Sequence, residues 1–114
     1  MKYFIVSMLL SVISLTAYSS NFVFFNNSAM SFFSKEDLKL SKSAQNEALE
    51  KYKDGMKLIW KNPQTGSHGT FVPMHTVYEN GSVCRHMKIM QTANLVHDKA
   101  VYRFCKLNDV WRIV

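Results

Sequence analysis

The chain has 114 residues, 47% of them hydrophobic, and a formal net charge of +6 at pH 7. That length bounds one domain, and no glycine-rich phosphate loop, nucleophile elbow or basic-aromatic nucleic-acid motif accompanies the charge. What remains is an anionic neighbour such as lipid headgroups, surface polysaccharide or an acidic protein, with nucleic acid excluded as the expected partner.

Residues 1–19 carry the three parts of a secretory signal: Lys2, an apolar run from Tyr3 to Leu15, and small residues on either side of Tyr18. Cleavage is expected after Ser19. The run is shorter than the roughly 20 apolar residues of a membrane span. An uncleaved anchor continuing through Phe22-Val23-Phe24-Phe25 is the alternative, and polar Tyr18-Ser19-Ser20-Asn21 interrupts it. No cysteine follows the run to carry a lipid. Export sets the expectation for Cys84 and Cys105, because two cysteines in a secreted chain are usually bonded to each other. Beyond residue 19, thirteen basic and eight acidic residues leave a net +5.

Residues 20–34 form an aromatic-rich arm in which Phe22, Phe24, Phe25, Phe32 and Phe33 stand among asparagines and serines without sustained periodicity. Clustered aromatics mark contact sites, so the arm reads as docking on a membrane or partner. The plainer reading is an arm that tucks a few rings onto the domain. The domain itself spans residues 35–114. Ser34 to Asp37 resembles a capping box, with a second possible start at Ser43 and Glu47. Ala44, Ala48, Leu49 and Tyr52 then share one helical stripe, and small residues there let a helix lie close to a sheet. Asp54-Gly55 is expected to stop the helix.

After Gly55 the period changes to two. Met56, Leu58 and Trp60 alternate with lysines, predicting a half-buried strand that Asn62 to Gly66 ends. Ser67-His68-Gly69 reads as loop, and a second strand runs from Thr70 to Tyr78. Asn80-Gly81 favours the primed two-residue hairpin turn, which pairs Tyr78 with Val83, Thr76 with Arg85 and Met74 with Met87. One face then holds Met74, Tyr78, Val83, Met87 and Ile89; the other holds His75, Val77, Cys84, His86 and Lys88. A bond from Cys84 to Cys105 across neighbouring antiparallel strands sets Met87 opposite Tyr102, Ile89 opposite Ala100 and Arg85 opposite Phe104. It therefore extends the same apolar face. A turn at Asn108-Asp109 adds Trp111 and Ile113 to it. Counting ladder bonds back from both turns makes Cys84 and Cys105 a non-hydrogen-bonded pair, where side chains approach most closely. Pro73 cannot donate a ladder bond, so a bulge or an end of pairing is expected there. The stretch from Thr92 to Asp98 is left as polar loop. The predicted fold is α+β: one N-terminal helix packed on an antiparallel meander of four to five strands, stapled by one disulfide.

The face away from the helix collects His75, His86, Lys88, Arg103 and Arg112 around the disulfide, a candidate electropositive binding surface with an ordinary solvated face as its rival. Metal binding by Cys84 and His86 lacks the remaining ligands a closed site needs. Cysteine nucleophilic chemistry needs a free thiolate. Neither a metal, a cofactor nor a catalytic residue is expected.

The run Trp60-Lys61-Asn62-Pro63-Gln64-Thr65-Gly66-Ser67-His68-Gly69-Thr70, then Pro73, Gly81-Ser82-Val83-Cys84-Arg85, Cys105 and Asp109-Val110-Trp111 resembles the C-terminal domain of the seventeen-kilodalton bacterial outer-membrane surface antigen family, over roughly Leu38 to Val114. The resemblance implies a small helix-plus-sheet domain in a Gram-negative cell envelope, periplasmic or outer-membrane-associated, with no established catalytic activity and no active-site residues to carry over. Departures mark a divergent member: the lipoprotein cysteine and a glycine-rich stretch are missing, and Lys106 and Asn108-Asp109 replace arginine and an Asp-Gly turn. The functional expectation is a non-enzymatic, exported binding or structural module. Its alternatives are an accessory subunit of an envelope machine such as a secretion system and, further off, an exported enzyme or enzyme inhibitor.

Overall fold

The computed structural model describes residues 28–114. The expected signal peptide and its cleavage point, with Phe22, Phe24 and Phe25 of the arm, lie outside the described residues.

A short 3-10 turn, Ala29–Phe32, leads into helix α1, Lys35–Lys51. Ser34 Oγ accepts from the Asp37 N–H and the Asp37 carboxylate accepts from the Ser34 N–H, both at 3.0 Å. This is the predicted capping box with aspartate in the reciprocal position. Ser43 lies inside the helix and starts nothing. Ala44, Ala48 and Leu49 are buried against the sheet, as the stripe predicts. The helix end differs from expectation. It closes at Lys51 with Tyr52 already extended, and Gly55, at φ +89°, belongs to a turn farther on. The last helical carbonyls need no left-handed glycine because the Arg85 side chain takes them.

Five strands follow: β1, Leu58–Lys61; β2, His68–Glu79; β3, Ser82–Ala93; β4, Val96–Leu107; and β5, Val110–Ile113. They form one antiparallel sheet in sequence order, a meander. Three two-residue hairpins join the last four strands, each with both central residues at positive φ: Asn80-Gly81, Asn94-Leu95 and Asn108-Asp109. The second corrects the expected Thr92 to Asp98 loop, which is strand on both sides of a tight turn, and β2 likewise begins two residues early, at His68. Leu95 is 92% exposed at φ +69°. Left-handed backbone costs a leucine roughly 1–2 kcal/mol, part of which glycine would return as lost chain entropy. Leu95→Gly is therefore expected to stabilise the domain by about 0.5–1 kcal/mol and raise the melting midpoint by a few degrees in a calorimetric scan.

The disulfide is present and its register is the predicted one: Cys84 faces Cys105 with Cα atoms 4.0 Å apart, Arg85 faces Phe104, Met87 faces Tyr102 and Ile89 faces Ala100. Between β2 and β3 the phase differs. Tyr78 pairs Val83 as expected, but a bulge at His75 and Thr76 brings Pro73, not Met74, opposite Met87 and puts Met74 opposite His86. The bulge lies at His75, with φ +49°, rather than at the proline. Its effect is to re-phase the strand so that Pro73 turns its backbone away from β3; the Pro73 carbonyl accepts from Gly55 N–H at 2.8 Å. No ladder bond is then asked of the residue that cannot donate one. Met74 consequently leaves the core face. Tyr78 keeps its phase but lies beyond the helix, 81% exposed.

The core joins α1 to one face of the sheet through Ala48, Leu49, Leu58, Trp60, Phe71, Met87 and Phe104. Phe33, assigned from sequence to the docking arm, packs edge-on against Trp60 at 5.2 Å and belongs to this core, whereas Phe32 is half exposed. Gly69 is a packing requirement: a Cβ there would stand 2.0 Å from Gln91 Oε1 and 2.6 Å from Trp60 Nε1. Those two atoms are bonded at 3.0 Å, and Gln91 Nε2 donates onward to Ser41 Oγ of the helix.

Candidate binding face

The helix-covered side of the sheet is closed by polar clamps, which leaves the other side as the surface open to a partner. At the start of α1, Asp37 is fully buried and accepts from Ser34 N–H, Asn62 Nδ2 and Thr65 Oγ1, tying the Asn62 to Gly66 turn to the helix. Burial pushes its carboxyl up, but the hydrogen bonds from Ser34, Thr65, Asn62 and Ser67 outweigh burial and bring it from 3.8 to about 2. The unfolded chain thus binds more protons than the folded one between these values. Stability is full above the unfolded value and falls as pH drops from about 4 toward 2. Asp54 acts in the same sense, held down to about 2 by the Thr76 hydroxyl and N–H and then by Arg85. Denaturant midpoints measured across that window should show the slope, and Asp37→Asn should flatten it.

At the other end of the sheet, Glu50 of α1 accepts from Trp111 Nε1 at 2.7 Å and pairs with Lys106 Nζ at 2.6 Å, fixing β5 to the helix.

The open side follows from strand register, since cross-strand partners share a face. Its rows are Lys61, His68, Thr92 and His97; Ile59, Thr70, Met90 and Lys99; Val72, Lys88 and Val101; Met74, His86 and Arg103; then Val77, Cys84, Cys105 and Arg112. His75 joins them through the bulge: Thr76 faces the helix side, where Arg85 Nε donates to its hydroxyl, and the His75 ring stands 5.7 Å from that of His86. All five residues expected to form the surface, His75, His86, Lys88, Arg103 and Arg112, therefore meet on one face. Arg103 is partly engaged, pairing with Glu79. A shallow open depression between Glu79, Asn80, Arg103 and Leu107 is floored by the disulfide.

Lys61, His68, His97 and Lys99 also belong to this face and were not anticipated. Continuing the disulfide register past Ala100 places Lys99 opposite Met90 and His97 opposite Thr92, a continuation that a polar loop from Thr92 to Asp98 would interrupt. Five cations stand here against Glu79, a net +4 among the described residues. The other seven carboxylates lie on α1, in turns, or on the helix side, where Asp98 accepts from the Ala29 N–H. Ile59, Val77, Met90 and Val101 are exposed between the cations, and no Phe, Tyr or Trp occurs in these rows. Among the described residues no group of three His, Cys, Asp or Glu is placed to hold a metal ion.

No family model matches the chain, and no curated protein or solved structure matches it either.

Proposed function

We propose that this chain is a non-enzymatic cell-envelope binding module, exported to an oxidising compartment, whose open sheet face docks on an anionic surface. The observation that carries the reading is the segregation of charge: five cations and exposed aliphatic side chains on one face, with nearly all carboxylates elsewhere. A face without Phe, Tyr or Trp lacks the large rings on which successive bases stack, which favours headgroups over single-stranded nucleic acid. The disulfide supports an extracytoplasmic setting, where such bonds persist. The motif resemblance to the surface antigen family agrees with this location.

Lys88→Glu combined with Arg112→Glu, both at exposed positions, should weaken partition onto phosphatidylglycerol-containing vesicles by at least about tenfold. The melting midpoint should change little, as surface substitutions usually do. Equal partition by the variant would rule the face out. A second reading, an accessory subunit of an envelope assembly, is supported by exposed Met30 and Phe32 on the 3-10 turn. It predicts co-purification in a large complex.

A further inference from the structure

The four histidines of the chain, His68, His75, His86 and His97, come from strands β2, β3 and β4, yet register and ring contact bring all four to the open face. The helix side of the sheet has none. Each is reachable: His68, His75 and His97 are exposed and His86 is half-buried beside His75. Histidine is the side chain whose charge changes between about pH 5 and 8. Mild acid therefore adds positive charge to the one face that already carries a net +4, and adds none on the opposite side of the sheet.

We infer that this face is an acid-strengthened contact for anionic lipid headgroups, the histidines raising its charge as the surroundings acidify. The inference rests on the anionic-docking reading above. Lipid is the occupant because exposed Ile59, Met90 and Val101 alternate with Lys61, Lys88 and Lys99 across the open face, so cations can meet phosphates while aliphatic groups reach the headgroup boundary. The charged groups facing the histidines are named by the same register. Lys61 is paired with His68; Lys99 is two residues along β4 from His97, whose Nδ1 is 3.0 Å from the Thr92 hydroxyl; and Lys88 and Arg103 flank His86, with Glu79 held by Arg103. Asp54, which bonds Thr76 next to His75 in sequence, is held by Thr76 and Arg85 on the other side of the sheet. His86 Nδ1 is buried without a hydrogen-bond partner. By reciprocity, headgroup binding must take up protons if acid strengthens it.

The test is partition of the full chain onto vesicles of equal phosphatidylglycerol and phosphatidylcholine at about pH 7.5 and about pH 5.5, where the phosphodiester stays ionised and histidine changes charge. Each histidine that becomes charged against the surface is worth about fivefold, so at least a tenfold strengthening is expected, with proton uptake in weakly buffered titrations. The variant H68Q/H75N/H86Q/H97Q should lose the strengthening: whatever its affinity at the higher pH, its binding at the two pH values should differ by less than about twofold. If it folds poorly, H68Q/H97Q alone, at exposed positions, should lose part of it. Binding that is independent of pH, or equally pH-dependent in the variant, overturns the inference and leaves the docking reading standing. No binding at either pH overturns both. Equal strengthening on pure phosphatidylcholine, or tighter binding to polyglutamate than to vesicles, overturns the assignment to anionic lipid.

Discussion

Arg85→Met is expected to destabilise the domain by about 3–5 kcal/mol, the cost of breaking a buried ionic network by removing one partner. Arg85 lies on the core face, 7% exposed, and its guanidinium ends the helix. Nη1 donates to the carbonyls of Leu49 at 2.7 Å and Ala48 at 3.3 Å, Nη2 to that of Tyr52 at 2.6 Å and to Asp54 Oδ1 at 3.0 Å, and Nε to Thr76 Oγ1 at 2.8 Å. A helix leaves its last four carbonyls without the usual internal partners; here a cation near the negative end of the dipole takes that of Leu49, shares that of Ala48 with the Tyr52 N–H, and takes that of the capping Tyr52. Methionine keeps much of the stem and its packing but removes the guanidinium donors from the Leu49 and Tyr52 carbonyls and leaves Asp54 with Thr76 alone. Lysine should rescue little, because one ammonium cannot span acceptors that a planar fork reaches together. Asp54→Asn should cost far less, its side chain being 44% exposed and its pair correspondingly screened. Chemical denaturation of the three variants separates these cases. Should Arg85→Met unfold within about 0.5 kcal/mol of the parent, the clamp is incidental.

The clamp also shows why parts of the fold were legible in sequence and others were not. Local chemistry with one cheap solution could be read directly: the Ser34 box, the Asn80-Gly81 turn, and the alternation through Leu58 and Trp60. The Cys84 to Cys105 pairing carried this farther, because a one-residue slip reverses every side chain, and from it the positions of Arg85, Met87 and Phe104 follow. What escaped depends on contacts between distant segments. The helix end is set by an arginine 33 residues away from Tyr52, while Asp54-Gly55 offered a plausible local stop. The bulge at His75 is stabilised by Asp54, which takes both the N–H and hydroxyl of Thr76 at 3.0 and 2.6 Å, a partner no strand pattern announces. Asn94-Leu95 lacks the glycine that betrays a primed turn, so its strands were missed and with them His97 and Lys99. The binding face was thus half legible: five residues from the register, His97 and Lys99 hidden behind one strained leucine, and Lys61 with His68 behind the loop-like Ser67-His68-Gly69.

Reducing the Cys84 to Cys105 bond is expected to lower stability by about 3 kcal/mol, the chain-entropy value for closing a loop of this length; the two residues are 21 apart in sequence. The loss acts mainly on the unfolded chain. In the folded chain the same row is held by neighbours that do not need the bond: Arg85 faces Phe104 on one side, and Cys105 faces Arg112 of β5 on the other. Cys84→Ala combined with Cys105→Ala should therefore keep the register, the meander and the open face while melting lower, with vesicle partition at about neutral pH unchanged at temperatures where it is folded. The denaturant slope should rise on reduction, since an uncrosslinked unfolded chain exposes more surface than a closed loop does. Both residues are almost fully buried, so reduction should be slow in the folded state and fast once it opens. Denaturation curves with and without reductant measure the stability and the slope. Coincident curves would mean that the covalent link contributes nothing to holding this sheet together, and that strand pairing alone specifies the face on which the cations and histidines stand.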